Sequence, residues 1–393
     1  MGDLESLLLV LAAIYLTECI VWVRRGAVAV ASYWGKRWRF WHPGTVLGNS
    51  RGAIFLSNPL PPFGAVVVGR QFPVSVSPQA IYSFTAASIN PGWRPSQVGR
   101  SVRYEDLRTV TFEGRKVFTN DALFCQAPSA ASARRLGEWL HTLKSMPEAE
   151  RSGAIRKTVA DALDPENVRA RWKEYLDQSK SLHRLTSVLF TYLFFVAPAF
   201  LWYFGFRVAG IGVAAGLLVQ TFTIGWLFRR AHCQLYPNGA EDRFVPFLTM
   251  LLAPPTAIRA RDLLARHLMD DFHPLAVVNL FCPPGEFKAL AGHALRDLHF
   301  PMLPLSASSA PEAIQTEEWF RRVVLDETEK ALTRAGLKPV ELLAPPASTE
   351  DVHRAYCARC NAQFVAVDAV CGDCGGRSLV SFEASGAVGR FED

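Results

Sequence analysis

The sequence predicts a mixed α+β membrane protein: three transmembrane helices, a cytoplasmic β-rich domain with a closing helix, a helical region and a small metal-binding tail. Three observations predict it. Three long apolar runs punctuate the chain, a stretch of short alternating segments follows the first run, and two C-x-x-C pairs lie near the C-terminus. The chain has 393 residues, half of them hydrophobic, enough for two or three domains.

The apolar runs are Leu7–Val23, Leu185–Phe206 and Val208–Phe228. At ~1.5 Å per residue the second and third are long enough to cross a ~30 Å hydrocarbon core. Neither carries a charge inside the helix-forming stretch, whereas a soluble helix of that length shows a charged face. The first run is shorter and contains Glu18, an intramembrane acid close enough to the boundary to snorkel. Its flank is acidic and no small-x-small cleavage site follows, so an uncleaved anchor is expected rather than a signal peptide. Arg24 and Arg25 follow the first run, Lys180 and Arg184 precede the second, and Arg229 and Arg230 follow the third. Basic flanks stay in the cytoplasm. Met1 and Arg207 are therefore expected outside, with residues 24–183 and 229–393 inside, as in a multi-pass protein of the cell membrane. Arg207 alone separates the second and third runs, which predicts a tight hairpin.

Between Cys19 and Tyr104 there is no Asp or Glu, and ten Lys or Arg residues lie there, against +6 for the whole chain. Trp34, Trp38 and Trp41 interleave with Lys36, Arg37 and Arg39. Such a segment beside a membrane span suits anionic headgroups: rings settle at the interface and cations meet phosphates. These six residues are the lipid-contact candidates. Nucleic acid could use the same charge, but a patch abutting the bilayer disfavours it.

Residues 51–125 read as strands: Ala65–Gly69, an alternating Val74-Ser-Val-Ser, Val102–Tyr104, Leu107–Phe112 and Lys116–Phe118, with Glu113-Gly114 as a turn. A helix from Ser129 to Leu143 follows, with Leu136, Trp139, Leu140 and Leu143 on one face. Strands closed by one helix over residues 26–145 give a topology that resembles a bacterial pleckstrin-homology-like domain. Asp164-Pro165-Glu166 is a helix start, and Val168, Trp172, Tyr175 and Leu176 mark the buried face of a stalk. Phe244–Ala253 is apolar but too short to span, which places it in the membrane interface or in a core. Further helices are expected at Thr256–Phe272, Phe287–Leu298 and Glu317–Ala335. The expected divisions are an anchor (1–23), a basic β-rich domain (24–148), a stalk (149–183), a transmembrane hairpin (184–228), a helical region (229–340), a linker (341–352) and a tail (353–393).

The tail carries the sharpest chemistry. Cys357-Ala-Arg-Cys360 and Cys371-Gly-Asp-Cys374 place two thiolates on each of two tight turns, and Asn361 and Gly375 tolerate the left-handed backbone that such a turn needs after its second ligand. Residues 353–380 resemble a zinc ribbon, which implies a closed tetrahedral S4 site for a structural Zn²⁺ and a surface for a protein partner. His267, Asp270, Asp271 and His273 form a second cluster, expected as a solvated helix face. No Gly-rich phosphate loop, nucleophile elbow or H-E-x-x-H is present. The expectation is a membrane-anchored binding or scaffold protein. The alternative is a membrane-associated enzyme, which would need His267, Asp271 and His273 to meet His293 or His299.

Overall fold

The computed structural model describes residues 5–6, 8–10, 12–13, 27–33, 36–40, 52–57, 64–68, 74–83, 100–127, 129–237, 244–265, 267–281, 284–301 and 311–382. They form a mixed helix and sheet structure. Of the first apolar run only residues 8–10 and 12–13 are described, and these are helical.

The basic stretch forms a four-stranded sheet: β1 (Ala27–Tyr33), β2 (Lys36–Phe40), β3 (Gly52–Ser57) and β4 (Gly64–Val68), in the order β2-β1-β3-β4. β1 pairs with β2 as a hairpin and with β3 in parallel. Two antiparallel meanders follow. The first contains β5 (Val74–Val76), β6 (Ala80–Ser83) and β7 (Arg100–Arg103); the second contains β8 (Val110–Glu113), β9 (Lys116–Thr119) and β10 (Ala122–Gln126). Gly114 turns β8 into β9 at φ 54°. Asn120 and Asp121 turn β9 into β10, both at positive φ, the two-residue geometry that matches strand twist. The Asn120 carboxamide accepts from the Arg108 N–H at 2.7 Å and donates to the Asp106 carbonyl at 2.8 Å, which holds the turn.

Helix α1 (Ala130–Ser145) starts where Ser129 accepts from the Ser132 N–H at 3.1 Å. Its Leu136, Leu140 and Leu143 bury against the meanders, as the periodicity predicts. Helix α2 (Glu148–Leu163) adds Ile155 and Val159. Phe320, Val323 and Val324 of α11 (Pro311–Arg334) complete this first core, 150 residues and more along the chain from the strands they cover.

Helix α3 (Pro165–Thr191) is capped by the Asp164 carboxylate, which accepts from the Glu166 N–H at 3.0 Å. Its buried residues Val168, Tyr175, Leu182 and Leu189 recur every seven positions, with Ser179 and Thr186 between them. Leu176, expected on the buried face, is exposed: the seam follows a seven-residue repeat, which leaves position 176 outside it. The helix continues through a π-helical turn (Tyr192–Val196) into α4 (Ala197–Phe204). Pro198 has no N–H for the Phe194 carbonyl and its ring crowds that turn, so the ladder widens and Ala197 N–H reaches back to the Tyr192 carbonyl. Gly205, at φ 77°, reverses the chain into α5 (Phe206–Leu235). A Cβ at Gly216 would lie 2.6 Å from the Tyr192 hydroxyl, so a larger residue there would have to displace the Tyr192 ring or part the two helices.

These two continuous helices, Pro165–Phe204 and Phe206–Leu235, are long and apolar enough to cross a membrane. Their outer halves are bare: Trp202 and Tyr203 are 80% exposed and Ile211 is 82% exposed. Their inner halves enter a second core with α6 (Phe244–Leu252), α7 (Pro254–Ile258), α8 (Ala260–Ala265), α9 (Pro274–Phe281) and α10 (Pro284–His299). The helix expected at Thr256–Phe272 is therefore not continuous. Ile258, Leu264 and Leu268 are buried as its pattern requires, but the backbone breaks at Arg259 (φ −91°, ψ 11°) and residues 267–272 are turns. A short α12 (Pro339–Leu343) leads to the tail.

Candidate metal centre

The tail is built from short pairings. β11 (Ala355–Tyr356) lies between β12 (Gln363–Phe364) and β15 (Val380–Ser381), and β13 (Val370–Cys371) pairs with β14 (Arg377–Ser378). Cys357 and Cys360 sit on the turn between β11 and β12. The Asn361 N–H donates to the Cys357 carbonyl at 2.8 Å, and the Cys357 N–H donates to the Ala362 carbonyl at 2.9 Å. Asn361 takes φ 59°, the left-handed position its carboxamide tolerates. On the second turn Gly375 and Gly376 are left-handed at φ 75° and 82°, and the Gly376 N–H donates to the Cys371 carbonyl at 3.0 Å.

Folding these turns against each other brings four thiol sulfurs together. All lie within 4.8 Å of one another, and Cys360 Sγ is 3.7 Å from Cys371 Sγ. A metal with ~2.3 Å bonds to sulfur in a tetrahedron needs edges of about 3.8 Å, so the spacing fits. A disulfide needs about 2.05 Å, and all four cysteines are free. Cys357, Cys371 and Cys374 are at most 1% exposed, and Cys360 is half-buried. Burial pushes the Cys357 thiol up, but N–H groups of Cys360 and Arg359 outweigh it and hold the group below its usual range. Burial raises Cys360 and Cys374, and the neighbouring sulfurs push Cys360 further up. Four soft donors in a closed set suit a thiophilic metal ion.

Arg359, inside the first C-x-x-C, has two partners. Its Nη1 donates to Cys374 Sγ at 3.7 Å and its Nη2 meets Asp297 Oδ1 on α10 at 2.8 Å. Arg377, just past the second pair, donates to the Pro301 carbonyl at 2.7 Å and lies 5.5 Å from the Phe300 ring centroid. The tail is thus seated on the end of α10 through two arginines issuing from its metal-binding turns. Sequence reasoning missed this; the one available signal was a guanidinium placed between two thiolates.

The other expected sites are placed as follows. Lys36, Arg37, Trp38 and Arg39 lie in β2, where Tyr33 pairs with Lys36, Ser32 with Arg37, Ala31 with Trp38 and Val30 with Arg39; Trp34 and Trp41 lie outside the described residues. His267, Asp270, Asp271 and His273 fall on a turn rather than the expected helix face; His267 and Asp270 pair, while Asp271 and His273 take other partners. His267 Nδ1 meets the buried Asp270 Oδ2 at 2.9 Å, and Ser132 donates to the same oxygen at 3.4 Å. Asp271 pairs with Arg135 at 2.8 Å. His273 is fully buried, its Nδ1 accepting from the Leu275 N–H at 3.2 Å, and burial holds its imidazole down at about 3. His299 meets Glu329 at 2.9 Å. A polar groove of about 610 Å³ runs between β6, β7 and α11. Its charged groups already have protein partners: Arg103 pairs with Glu312, Glu148 accepts from Gln79 at 2.6 Å, and Arg151 donates to the carbonyls of Pro78 and Leu143. Among the described residues the four cysteines are the metal-competent cluster.

Comparison with known protein families, curated proteins and solved structures finds no match.

Proposed function

We propose that this protein is a membrane-anchored binding or scaffold protein whose C-terminal zinc module engages a protein partner. The observation that carries the reading is one continuous unit. Two apolar helices with bare outer halves share a core with a soluble body, and that body seats the four-cysteine module. Bare apolar surface of this extent is costly in water and neutral in lipid. The hairpin crosses the bilayer with Arg207 outside, and the body sits on the cytoplasmic side with Arg229 and Arg230 at the boundary. Zn²⁺ occupies the S4 site, since a closed tetrathiolate leaves no position for water or substrate and stabilises a small fold. Lys36, Arg37 and Arg39, with their neighbouring tryptophans, rest on the anionic leaflet.

The test is made on cell membranes. The full chain stays in carbonate-washed membranes and yields one zinc per chain on elemental analysis. Partners cross-linked to it are lost when residues 341–393 are removed or Cys371→Ser is introduced. Release of the intact chain by carbonate, or purified protein with no thiolate-bound metal, overturns the reading. A second reading, an enzyme with its site in residues 229–340, rests on the His267–Asp270 pair. It gains favour if His267→Gln abolishes a cellular phenotype while membrane insertion and metal content stay intact.

A further inference from the structure

Helix α6 occupies a level that a soluble helix would not. The chain leaves α5 at Leu235, reverses, and places Phe247 back against Gly225, where an added Cβ would lie 2.9 Å from its ring. Gly225 is ten residues, or about 15 Å, back up α5 from that end, and about 6 Å on the hairpin side of Arg229. Exposed Arg229 and Arg230 mark the polar boundary, and the Phe247 ring of α6 reaches past it. One side of α6 is spoken for by Phe247 on Gly225 and by Met250 in the core. The other side is bare and apolar: Phe244 is 68% exposed and Leu252 76%, with Val245 and Leu248 between them. The hydroxyl of Thr249 is turned inward to the Pro246 carbonyl at 2.9 Å, and no charged residue lies between Phe244 and Ile258. Phe222 and Trp226, within three positions of Gly225 on α5, are exposed as well. The chain then drops back through Pro254-Pro255 into the buried α7.

We infer that α6 is a re-entrant helix lying among the acyl chains of the leaflet on the Arg229/Arg230 side, its Phe244, Val245, Leu248 and Leu252 facing lipid. The inference rests on the reading of α3–α5 as a membrane hairpin. Its consequence is asymmetric: among the described residues, α6 adds its volume to the near leaflet alone, beside a hairpin that occupies both. A one-sided wedge of this kind makes binding depend on lipid packing and curvature.

The test uses the full chain in liposomes containing a phosphatidylcholine with a diazirine at mid-acyl chain. After irradiation, labelled peptides are mapped by mass spectrometry, with residues 208–222 as the hairpin control and 148–163 as the soluble control. The expected result is label on 244–252 at a per-residue yield matching the hairpin peptide, and background on 148–163. In the double variant Leu248→Lys/Leu252→Lys, label on 244–252 falls to the soluble background while the hairpin keeps its own. Label on 208–222 with only background on 244–252 in the native chain overturns the inference and leaves the hairpin reading standing. Background on both overturns the two together.

Discussion

Replacing Arg359 by Met keeps the length and packing of the side chain and removes its charge. Four thiolates around a dication leave a net charge of −2, and Arg359 is the cation seen to donate to one of the sulfurs, Cys374 Sγ at 3.7 Å. A charge-assisted hydrogen bond of this kind is worth about 1.5–3 kcal/mol when partly buried. Loss of an outer-layer partner of a metal ligand costs about 10–100-fold in affinity, which is ~1.4–2.8 kcal/mol, so the two estimates agree. Arg359→Met also leaves Asp297, whose carboxyl burial already raises, without its 2.8 Å guanidinium partner and with only the weaker pull of His293. Zinc affinity of the purified full chain, measured by competition with a chromophoric chelator, is expected to fall within that 10–100-fold range. Asp297→Asn, which frees Arg359 without removing it, is expected to weaken binding far less while loosening the seat of the tail on α10. That loosening reads out as faster proteolysis within residues 344–352. Unchanged zinc affinity in Arg359→Met, with Cys371→Ser losing the metal as a control, refutes the argument that the guanidinium stabilises the sulfur cluster.

Four other outcomes are expected. Leu140→Ala, at a fully buried position between the meanders and α1, lowers stability by about 2–5 kcal/mol in denaturant unfolding. Gly216→Val separates α3 from α5 because its side chain meets the Tyr192 hydroxyl; detergent-solubilised protein melts earlier, and adding Tyr192→Phe recovers part of the loss. His273 is held neutral by burial, with its protonation displaced down to about 3, so it contributes stability that is complete above the ordinary imidazole range near 6.5 and lost as pH falls towards 3; His273→Asn flattens the acid limb of a stability–pH curve. Cys125, whose thiol burial pushes up to about 12, resists alkylation at pH 8 in the folded chain and reacts at once in urea, and its stability contribution is lost only as pH rises above the ordinary thiol range.

What could be read from the sequence was local chemistry. The four cysteines, the left-handed Asn361 and Gly375, the Asp164 cap and the Gly114 turn each depend on residues within a few positions, and each is where it was expected. The two long apolar helices were legible because length and composition alone mark a segment able to span a bilayer. What was not legible depends on distant partners. Nothing near Leu176 says that the α3 seam follows a seven-residue repeat set by α5. Nothing near Phe320 says that this helix closes a sheet formed more than 200 residues earlier. The helix expected over 256–272 carried the right buried positions, yet its backbone breaks at Arg259. The parallel pairing of β1 with β3 skips over β2, which adjacency in sequence does not suggest. The Arg359–Asp297 contact joins residues 62 positions apart, 359 less 297, and neither has an unusual neighbourhood in the sequence.

The helix running from Pro165 to Phe204 spans 40 residues, about 60 Å of uninterrupted rod. Half of it is core to the body and half stands clear, and helix joins the two halves without a loop. In the membrane setting proposed above, a neighbour pressing on Trp202 at the far tip would be delivered as a lever movement to Val168 and Tyr175. The loosened turn at Tyr192–Val196 is the place along the rod where such a load bends first. Its Tyr192 hydroxyl, which donates to the Val213 carbonyl at 3.3 Å, fastens that weak point to the returning helix, so the two arms of the hairpin flex as one.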